Sequence, residues 1–222
     1  MNASPTRADL AARIDHTLFQ PAASREDVTR LCVEARTQHF HGVCVHGSRV
    51  ELAYSLLEDT DIKITCFVGF PFGAVHTDVK RYETETAVDE GATEIEMVLN
   101  IGRLKDGDQR FVLRELRDIA EAADERPVKV ALETALLTPE ERALACELIL
   151  DSGAQFVCTG TGLGGAPTPA EVAMLRALVG EKFGVKASGP IPDLELAQDL
   201  ISAGANRLGT FTAMALLEEL PK

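Results

Sequence analysis

The feature that most constrains this chain is a regular alternation of short apolar runs with longer amphipathic segments. Each run is rich in β-branched residues and is the length of one strand, and successive runs begin roughly 20–35 residues apart. The eight runs lie at residues 14–18, 42–46, 62–68, 94–99, 128–133, 155–159, 184–188 and 206–209. This alternation indicates parallel strands joined by helices, because a parallel connection needs a crossover segment.

The segments between the runs carry apolar residues at helical spacing. Five of them, at residues 77–90, 109–124, 138–152, 168–179 and 194–203, repeat apolar residues every three or four positions. Thr138 and Thr168 each precede a proline and are followed three residues later by glutamate, which predicts capped helix starts. A Gly-Ala pair follows three of these segments and predicts where those helices end.

The strand–helix units fill the chain from residue 1 to residue 222 and leave no segment for a second domain. We therefore expect an α/β protein, a single (β/α)8 TIM barrel. The alternative is an open, doubly wound parallel sheet. It is disfavoured because the chain has no GxxxxGK[ST] loop, and its single GxGxxG match, at residues 160–165, follows the sixth run and not the first strand, where such sheets bind nucleotides.

The charge balance limits the classes of partner. The chain has 35 acidic and 22 basic side chains, a formal net charge of −13. It therefore lacks the basic excess that binds nucleic acid or an anionic membrane surface. We expect a small-molecule substrate, with neither nucleic acid nor membrane as a partner.

Cysteine usage and the first residues bear on the compartment. The five cysteines are scattered and none is in CxxC spacing, which argues against a disulfide framework and against a zinc site. Residues 1–7 contain no apolar stretch of the signal-peptide type, and no apolar run is long enough to span a bilayer. The expected location is the cytoplasm.

The ionisable residues that interrupt the apolar runs include Glu96, Lys129, Glu133 and Lys186. Charged side chains are seldom buried unless they are paired or functional. The simpler interpretation is a structural ion pair across the barrel lumen. The alternative is a reactive site, since a desolvated lysine loses proton affinity and can then act as a Schiff-base amine.

Three further features are weaker signals. Asp15 and His16 close the first run and could form an acid–base pair. The glycine-rich turn at 159–165 and the Ser-Gly-Pro turn at 188–190 could cradle an oxyanion, or could simply be flexible turns. Cys158 ends its run beside the first turn, where a cysteine is more often inert packing than a nucleophile.

Eight segments, taken together, resemble one known family. They read IDHTL (14–18), GVCV (42–45), VGFPFG (68–73), ETETAVDEGATEIEMVLN (83–100), KVALETALLT (129–138), GAQFVCTGTG (153–162), VKASGPI (185–191) and GANRLGT (204–210). In this order they are similar to the deoxyribose-phosphate aldolase family. The resemblance implies a (β/α)8 barrel and an oligomeric, often dimeric, cytoplasmic class I aldolase that needs no metal or cofactor. We accordingly expect a homo-oligomer, a dimer or larger.

In that family a lysine forms a Schiff base with acetaldehyde, which then adds to glyceraldehyde 3-phosphate. The resemblance places the Schiff-base lysine at position 158, which is cysteine here. It matches Lys186 to the family's second active-site lysine, the one that lowers the pKa of the nucleophile. Glu96 stands where the family has a proton-shuttling aspartate, and Asp15 falls on a further position of the site. The predicted catalytic residues are therefore Lys186, Glu96, Asp15 and Cys158.

The same comparison predicts the residues that contact the substrate. They are Cys44, Lys129, Thr161, Gly162, Gly189, Thr210 and Phe211. Pro190 occupies the position of a glycine whose backbone N–H would face phosphate. Phe211 stands where the resemblance implies a small hydroxyl residue. Both changes suggest a substrate without a phosphate, or one whose phosphate is held less tightly.

A thiol cannot form an imine, so we do not expect ordinary deoxyribose-phosphate aldolase activity through residue 158. Three hypotheses remain open. Lys186 could take over as the Schiff-base amine. Glu96, Asp15 and Lys186 could instead act as acid–base and electrostatic groups in aldol, cyclisation, dehydration or isomerisation chemistry, with Cys158 as a nucleophile in one version. The third is a non-catalytic descendant that binds a metabolite or a protein partner.

Overall fold

A computed structural model describes residues 6–220 and contains eight parallel strands. The strands are β1 (Ile14–Thr17), β2 (Gly42–His46), β3 (Lys63–Val68), β4 (Glu94–Val98), β5 (Val128–Ala131), β6 (Phe156–Cys158), β7 (Gly184–Ser188) and β8 (Arg207–Thr210). Each strand pairs with the next, and β1 also pairs with β8. This closure confirms the TIM barrel and excludes the open sheet.

Ten α-helices lie among the described residues. They are α1 (Arg7–Ala11), α2 (Arg25–Gln38), α3 (Val50–Leu57), α4 (Thr77–Asp89), α5 (Ile101–Lys105), α6 (Gln109–Ala122), α7 (Pro139–Leu150), α8 (Pro169–Val179), α9 (Leu194–Ser202) and α10 (Ala213–Glu218). None of these helices is both long and apolar enough to cross a membrane. Most of residues 1–7, on which the prediction of no signal peptide rests, lie outside the described part of the chain.

The helix starts predicted at Thr138 and Thr168 are confirmed by the structure. Thr138 and Thr168 each accept the backbone N–H of the glutamate three residues on, at 3.2 Å, and that glutamate accepts the backbone N–H of the threonine at 2.8 Å. These are complete capping boxes, with proline at the first helical position. The helix boundaries deduced from sequence are therefore right to within a few residues.

Residues along each strand alternate between the helices and the lumen. On β2, for example, Val43 and Val45 face outward and belong to the main apolar core between sheet and helices. The inward positions differ, because several of them are charged. The fold thus has an ordinary apolar layer outside the sheet and a polar, ionised layer inside it.

Candidate functional site

The strand register collects five charged side chains inside the barrel. The contributing residues are Asp15 on β1, Glu94 and Glu96 on β4, Lys129 on β5 and Lys186 on β7. Glu94 and Glu96 are two positions apart, so they share the inward face of β4. The side chains of all five are no more than 8% exposed.

These five side chains form an unbroken row in which acids and bases alternate; we call it the lumen chain. Lys129 Nζ lies 2.6 Å from Glu94 Oε2 and donates to Asp15 Oδ2 at 2.6 Å. Lys186 Nζ lies 2.9 Å from the same Asp15 oxygen and donates to Glu96 Oε2 at 2.6 Å. Each buried ammonium therefore has two carboxylate partners, which is the condition for keeping a charge in a desolvated site.

The surroundings of Lys186 do not favour the alternative in which a desolvated lysine loses proton affinity. Burial does lower the pKa of this amine, but the attraction of Asp15 and Glu96 outweighs burial and holds the pKa well above its ordinary range. The same balance raises the pKa of Lys129, where Asp15 is the main counter-charge. Both lysines are therefore ammonium ions at neutral pH.

The pKa values of the neighbouring carboxyl groups shift in the opposite direction. Burial raises the pKa of Asp15, yet Lys129 and Lys186 together bring it well below its usual range. For Glu94, burial is again outweighed by Lys129, and its pKa falls to about 2. Asp15 is thus an anion shared by two cations and not a group that exchanges protons near neutral pH.

The foot of the lumen chain already holds a cation, the Lys129 ammonium. Asp15, Glu94 and the half-buried His41 bring their ligand-type atoms within 4.8 Å of one another, a spacing that could hold a metal ion. Lys129 already supplies a cation there, 2.6 Å from both carboxylates. Thr65 completes the group, because it donates to Glu94 at 2.9 Å and accepts from Lys129 at 3.3 Å.

The upper end of the lumen chain opens into a small cavity at the carboxyl ends of the strands. Glu96 and Lys186 lie at its base, and its volume of about 10 Å³ is close to that of a single water site. Gly209 leaves room for the Lys186 side chain, since a Cβ at that position would collide with it. The remaining lining residues are Thr17, Phe19, Phe67, Thr161, Ser188, Gly189, Gly209, Thr210 and Phe211.

The two lumen thiols are not activated. Cys44 and Cys158 are fully buried, and Cys158 is paired in register with Lys186 across β6 and β7. Burial raises the pKa of both thiols well above the ordinary value, and Glu96 raises it further, while the lysines only partly oppose this. The version in which Cys158 acts as a thiolate nucleophile at neutral pH therefore finds no support in the site's electrostatics.

Some predicted residues do not meet at the mouth. His16 points to the outside of the barrel, where Nε2 lies 2.7 Å from Glu34 Oε2, so it cannot pair with the inward Asp15. Lys129 is at the foot of the lumen chain and does not line the mouth cavity. Glu133 lies beyond the end of β5, with a φ of 51°, because the chain leaves the sheet after Ala131.

Glu133 has a different role from the one that its place in the apolar run suggested. Its carboxylate accepts the backbone N–H of Thr161. A Cβ added at Gly160 would lie 2.9 Å from one carboxylate oxygen, which explains why glycine is found there. The glycine-rich turn is therefore held by an internal anion. Gly162 packs closely on Gly189, where an added Cβ would come within 2.9 Å of the Gly189 Cα.

Sequence reasoning missed several residues of the site. Glu94 could have been found, because the alternation in EIE puts it on the same face as Glu96. Phe19 and Phe67 lack such a signal, since aromatic residues near strand ends are usually packing. Ser188 was noted only as part of a turn, yet it lines the cavity and its buried Oγ has no hydrogen-bond partner within residues 6–220.

Comparisons with known proteins agree with this architecture. The family described as DeoC/LacD family aldolase matches residues 10–204. The deoxyribose-phosphate aldolase of a Thermoanaerobacter species is 44% identical over 218 residues, which cover 96% of this chain and 98% of that protein. The corresponding protein of Thermococcus gammatolerans is 45% identical over 215 residues, covering 95% and 96% of the two chains.

Solved structures give the same result. A structure described as QR15, an aldolase, superposes with a TM-score of 0.91 at 34% identity and covers 95% of each chain. The tetrameric deoxyribose phosphate aldolase from Aeropyrum pernix superposes with a TM-score of 0.90 at 32% identity, covering 96% of this chain and 92% of that one. Match length, identity and superposition all agree, and the chain belongs to the DeoC/LacD family of aldolases.

Proposed function

We propose that this chain is a carbon–carbon lyase for a small carbonyl substrate and that Lys186 and Glu96, not residue 158, carry the reaction. The observation that supports this most directly is their placement. The two side chains form a 2.6 Å ion pair at the base of the mouth cavity, at the strand ends where barrel enzymes hold their active sites. Residue 158, a buried thiol, offers no amine.

In the cleavage direction, Glu96 removes the proton from the hydroxyl group of a β-hydroxycarbonyl substrate. The released electron pair forms a new C=O bond while the neighbouring C–C bond breaks, and its electrons pass into an enolate. Lys186 donates a hydrogen bond to the carbonyl oxygen that becomes the enolate oxygen, and its positive charge stabilises that anion. The proton then returns to the α carbon, so the step balances without a redox partner.

The electrostatics of Lys186 favour this role over that of a Schiff-base amine. Attack on a carbonyl needs a neutral amine, and the raised pKa keeps Lys186 protonated. Asp15 supports the arrangement because its carboxylate is the second partner of Lys186, 2.9 Å away. Asp15 is on this account a positioning residue.

Relatives about 44% identical are named deoxyribose-phosphate aldolases, so that reaction is the reference assay. The experiment measures cleavage of 2-deoxyribose 5-phosphate and of unphosphorylated 2-deoxyribose. We expect the wild type to cleave the second substrate at least as well as the first, and Glu96→Gln to reduce cleavage about 10²–10⁴-fold.

Glu181→Gln, an exposed glutamate outside the cavity, is the matched control and should leave cleavage unchanged. Two results would contradict the proposal. One is cleavage that persists in Glu96→Gln, and the other is a wild type that cleaves neither sugar while remaining folded. The second result would favour the non-catalytic alternative.

A further inference from the structure

Aromatic rings form a continuous row around one side of the barrel mouth. Phe211, just after β8, meets Phe19 with ring centroids 5.7 Å apart in an edge-to-face arrangement. Phe19 lies 6.2 Å from Phe70, which is 4.6 Å from Phe67 and 5.3 Å from His46. We call these five residues the aromatic wall. Their rings come from the ends of β1, β2, β3 and β8, so only the closed barrel brings them together.

Three rings of the aromatic wall border the reacting pair. Phe19, Phe67 and Phe211 line the same cavity as Lys186 and Glu96. Phe67, Phe70 and His46 also line a separate cleft of about 640 Å³, which the outward-facing Val45 and helix α4 border as well. Phe211 is 40% exposed, and a half-exposed ring can turn without disturbing the core. The cavity holds about one water molecule as it stands, so a substrate group enters it only when Phe211 turns aside, and that group then contacts Phe19, Phe67 or Phe211.

The cavity around Lys186 and Glu96 has no free positive charge for an anionic group among its described residues, whereas Arg49 lines the separate 640 Å³ cleft. Of the eleven residues that line the cavity in the described part of the chain, only Glu96 and Lys186 are charged, and Lys186 is held by two carboxylates. The neighbouring glycine-rich turn holds the Glu133 carboxylate at the Thr161 N–H, which adds negative charge. A phosphate dianion would thus meet carboxylates without a spare cation.

One neutral polar group remains unpaired. The Ser188 Oγ lines the cavity, is buried and has no hydrogen-bond partner within the described residues. Its backbone N–H is already used, since it donates to Thr159 Oγ1 at 3.0 Å. A buried hydroxyl with a free donor and acceptor suits an uncharged oxygen of a ligand.

We propose, on the basis of the function proposed above, that the acceptor half of the substrate is an uncharged aldehyde with an aromatic or branched apolar substituent. The substituent packs on the aromatic wall, and the aldehyde oxygen takes a hydrogen bond from Ser188. In the synthetic direction the α carbon of the donor loses a proton to Glu96 and bonds to the carbonyl carbon of this aldehyde. The π electrons move to oxygen, which takes up the proton.

A binding measurement tests the wall independently of turnover. Benzyl alcohol, an uncharged aromatic alcohol, is titrated into the wild type, Phe211→Ser and Phe72→Ser by isothermal calorimetry. Phe72 is the matched control, because it is 80% exposed and lines neither the cavity nor the cleft. We expect Phe211→Ser to weaken binding about tenfold and Phe72→Ser to leave it unchanged. Equal affinity in all three proteins, or no binding to the wild type, overturns the proposal.

Ser188→Ala tests the polar contact in the same titration. It should weaken benzyl alcohol binding several-fold. The control is Ser202→Ala, which should leave binding unchanged, because Ser202 lies at the end of α9 and does not line the cavity. Melting curves of each variant show that it is folded. Unchanged binding in Ser188→Ala contradicts the assigned contact.

Turnover separates this proposal from the proposed function. Acetaldehyde is offered with benzaldehyde or with glyceraldehyde 3-phosphate, and we expect a higher kcat/KM with benzaldehyde that falls about tenfold in Phe211→Ser. A preference for the phosphorylated aldehyde overturns the substrate class but leaves the Lys186–Glu96 chemistry standing. Binding of benzyl alcohol without turnover of either aldehyde supports the wall and contradicts the proposed function.

Discussion

The two buried lysines of the lumen chain have similar charged partners but differ in their access to the mouth cavity. Lys129 and Lys186 are both buried, both lie between two carboxylates, and both contact the same oxygen of Asp15. Lys129 also contacts Thr65 and lies 5.8 Å from the centre of the Phe156 ring. Lys186 instead borders the mouth cavity. Position along the barrel axis, not charge or burial, distinguishes a structural ion from one that can meet a substrate.

The largest expected effect separates the two lysines by activity. Lys186→Met should reduce turnover about 10³-fold, because the enolate oxygen loses its charged hydrogen-bond donor. Lys129→Met should change turnover per folded molecule much less, since Lys129 does not line the mouth. Steady-state assays corrected for the folded fraction measure both. Equal losses in the two variants would show that the lumen chain acts as one unit.

The next effect concerns stability. Lys129→Met leaves Glu94 buried without its cation, and removing one partner of a buried ion pair costs about 3–5 kcal/mol. Urea unfolding monitored by circular dichroism gives the change in free energy. Lys182→Met, at an exposed lysine, is the control and should stay within about 0.5 kcal/mol of the wild type. A Lys129→Met protein as stable as the wild type would mean that the pair is not desolvated.

A pH dependence follows from the foot of the lumen chain. The folded-state pKa of Glu94 is about 2, below its value of about 4.3 in an unfolded chain. Its stabilising contribution is therefore complete above about pH 4.3 and is lost as the pH falls toward about 2. The free energy of unfolding at several acidic pH values tests this. Glu94→Gln should flatten that part of the curve, and an unchanged slope would contradict the assignment.

The smallest effect concerns the thiols. All five cysteines are buried, so an aromatic disulfide reagent should leave them unmodified in the native protein and label all five after unfolding. Cys158→Ala should keep activity within about threefold of the wild type, because the thiol is protonated and takes no part in the reaction. Rapid native-state labelling of Cys158, or loss of turnover in Cys158→Ala, would indicate that Cys158 is the nucleophile.

The barrel could be predicted from the sequence because its signals are local. Strand runs, helix caps such as Thr138 and the Gly-Ala ends each depend on a few neighbouring residues. The possibility of an ion pair across the lumen was also accessible, since Glu96 and Lys186 interrupt apolar strands. The sequence did not show which carboxylates contact which lysine, because that depends on how the eight strands close and tilt.

The sign of the Lys186 pKa shift shows the limit most clearly. Burial alone predicts a lowered pKa for Lys186, and the apolar run around this residue is the only part of its environment that the sequence indicates. The two carboxylates that reverse the sign come from β1 and β4, which are distant in sequence from β7. The aromatic wall has the same origin, because Phe19 and Phe211 are close only after β1 pairs with β8.

Borohydride trapping with acetaldehyde, followed by mass spectrometry of the Lys186 peptide, shows whether Lys186 reacts as an ammonium ion or as an imine-forming amine. We expect no ethyl adduct on Lys186 under conditions in which the enzyme turns over, because the amine stays an ammonium ion between Asp15 and Glu96. The unfolded chain, treated in the same way, shows that the peptide is recovered and can be modified. An adduct on Lys186 that accumulates as activity is lost would show that Lys186 forms an imine and is not a permanently charged hydrogen-bond donor.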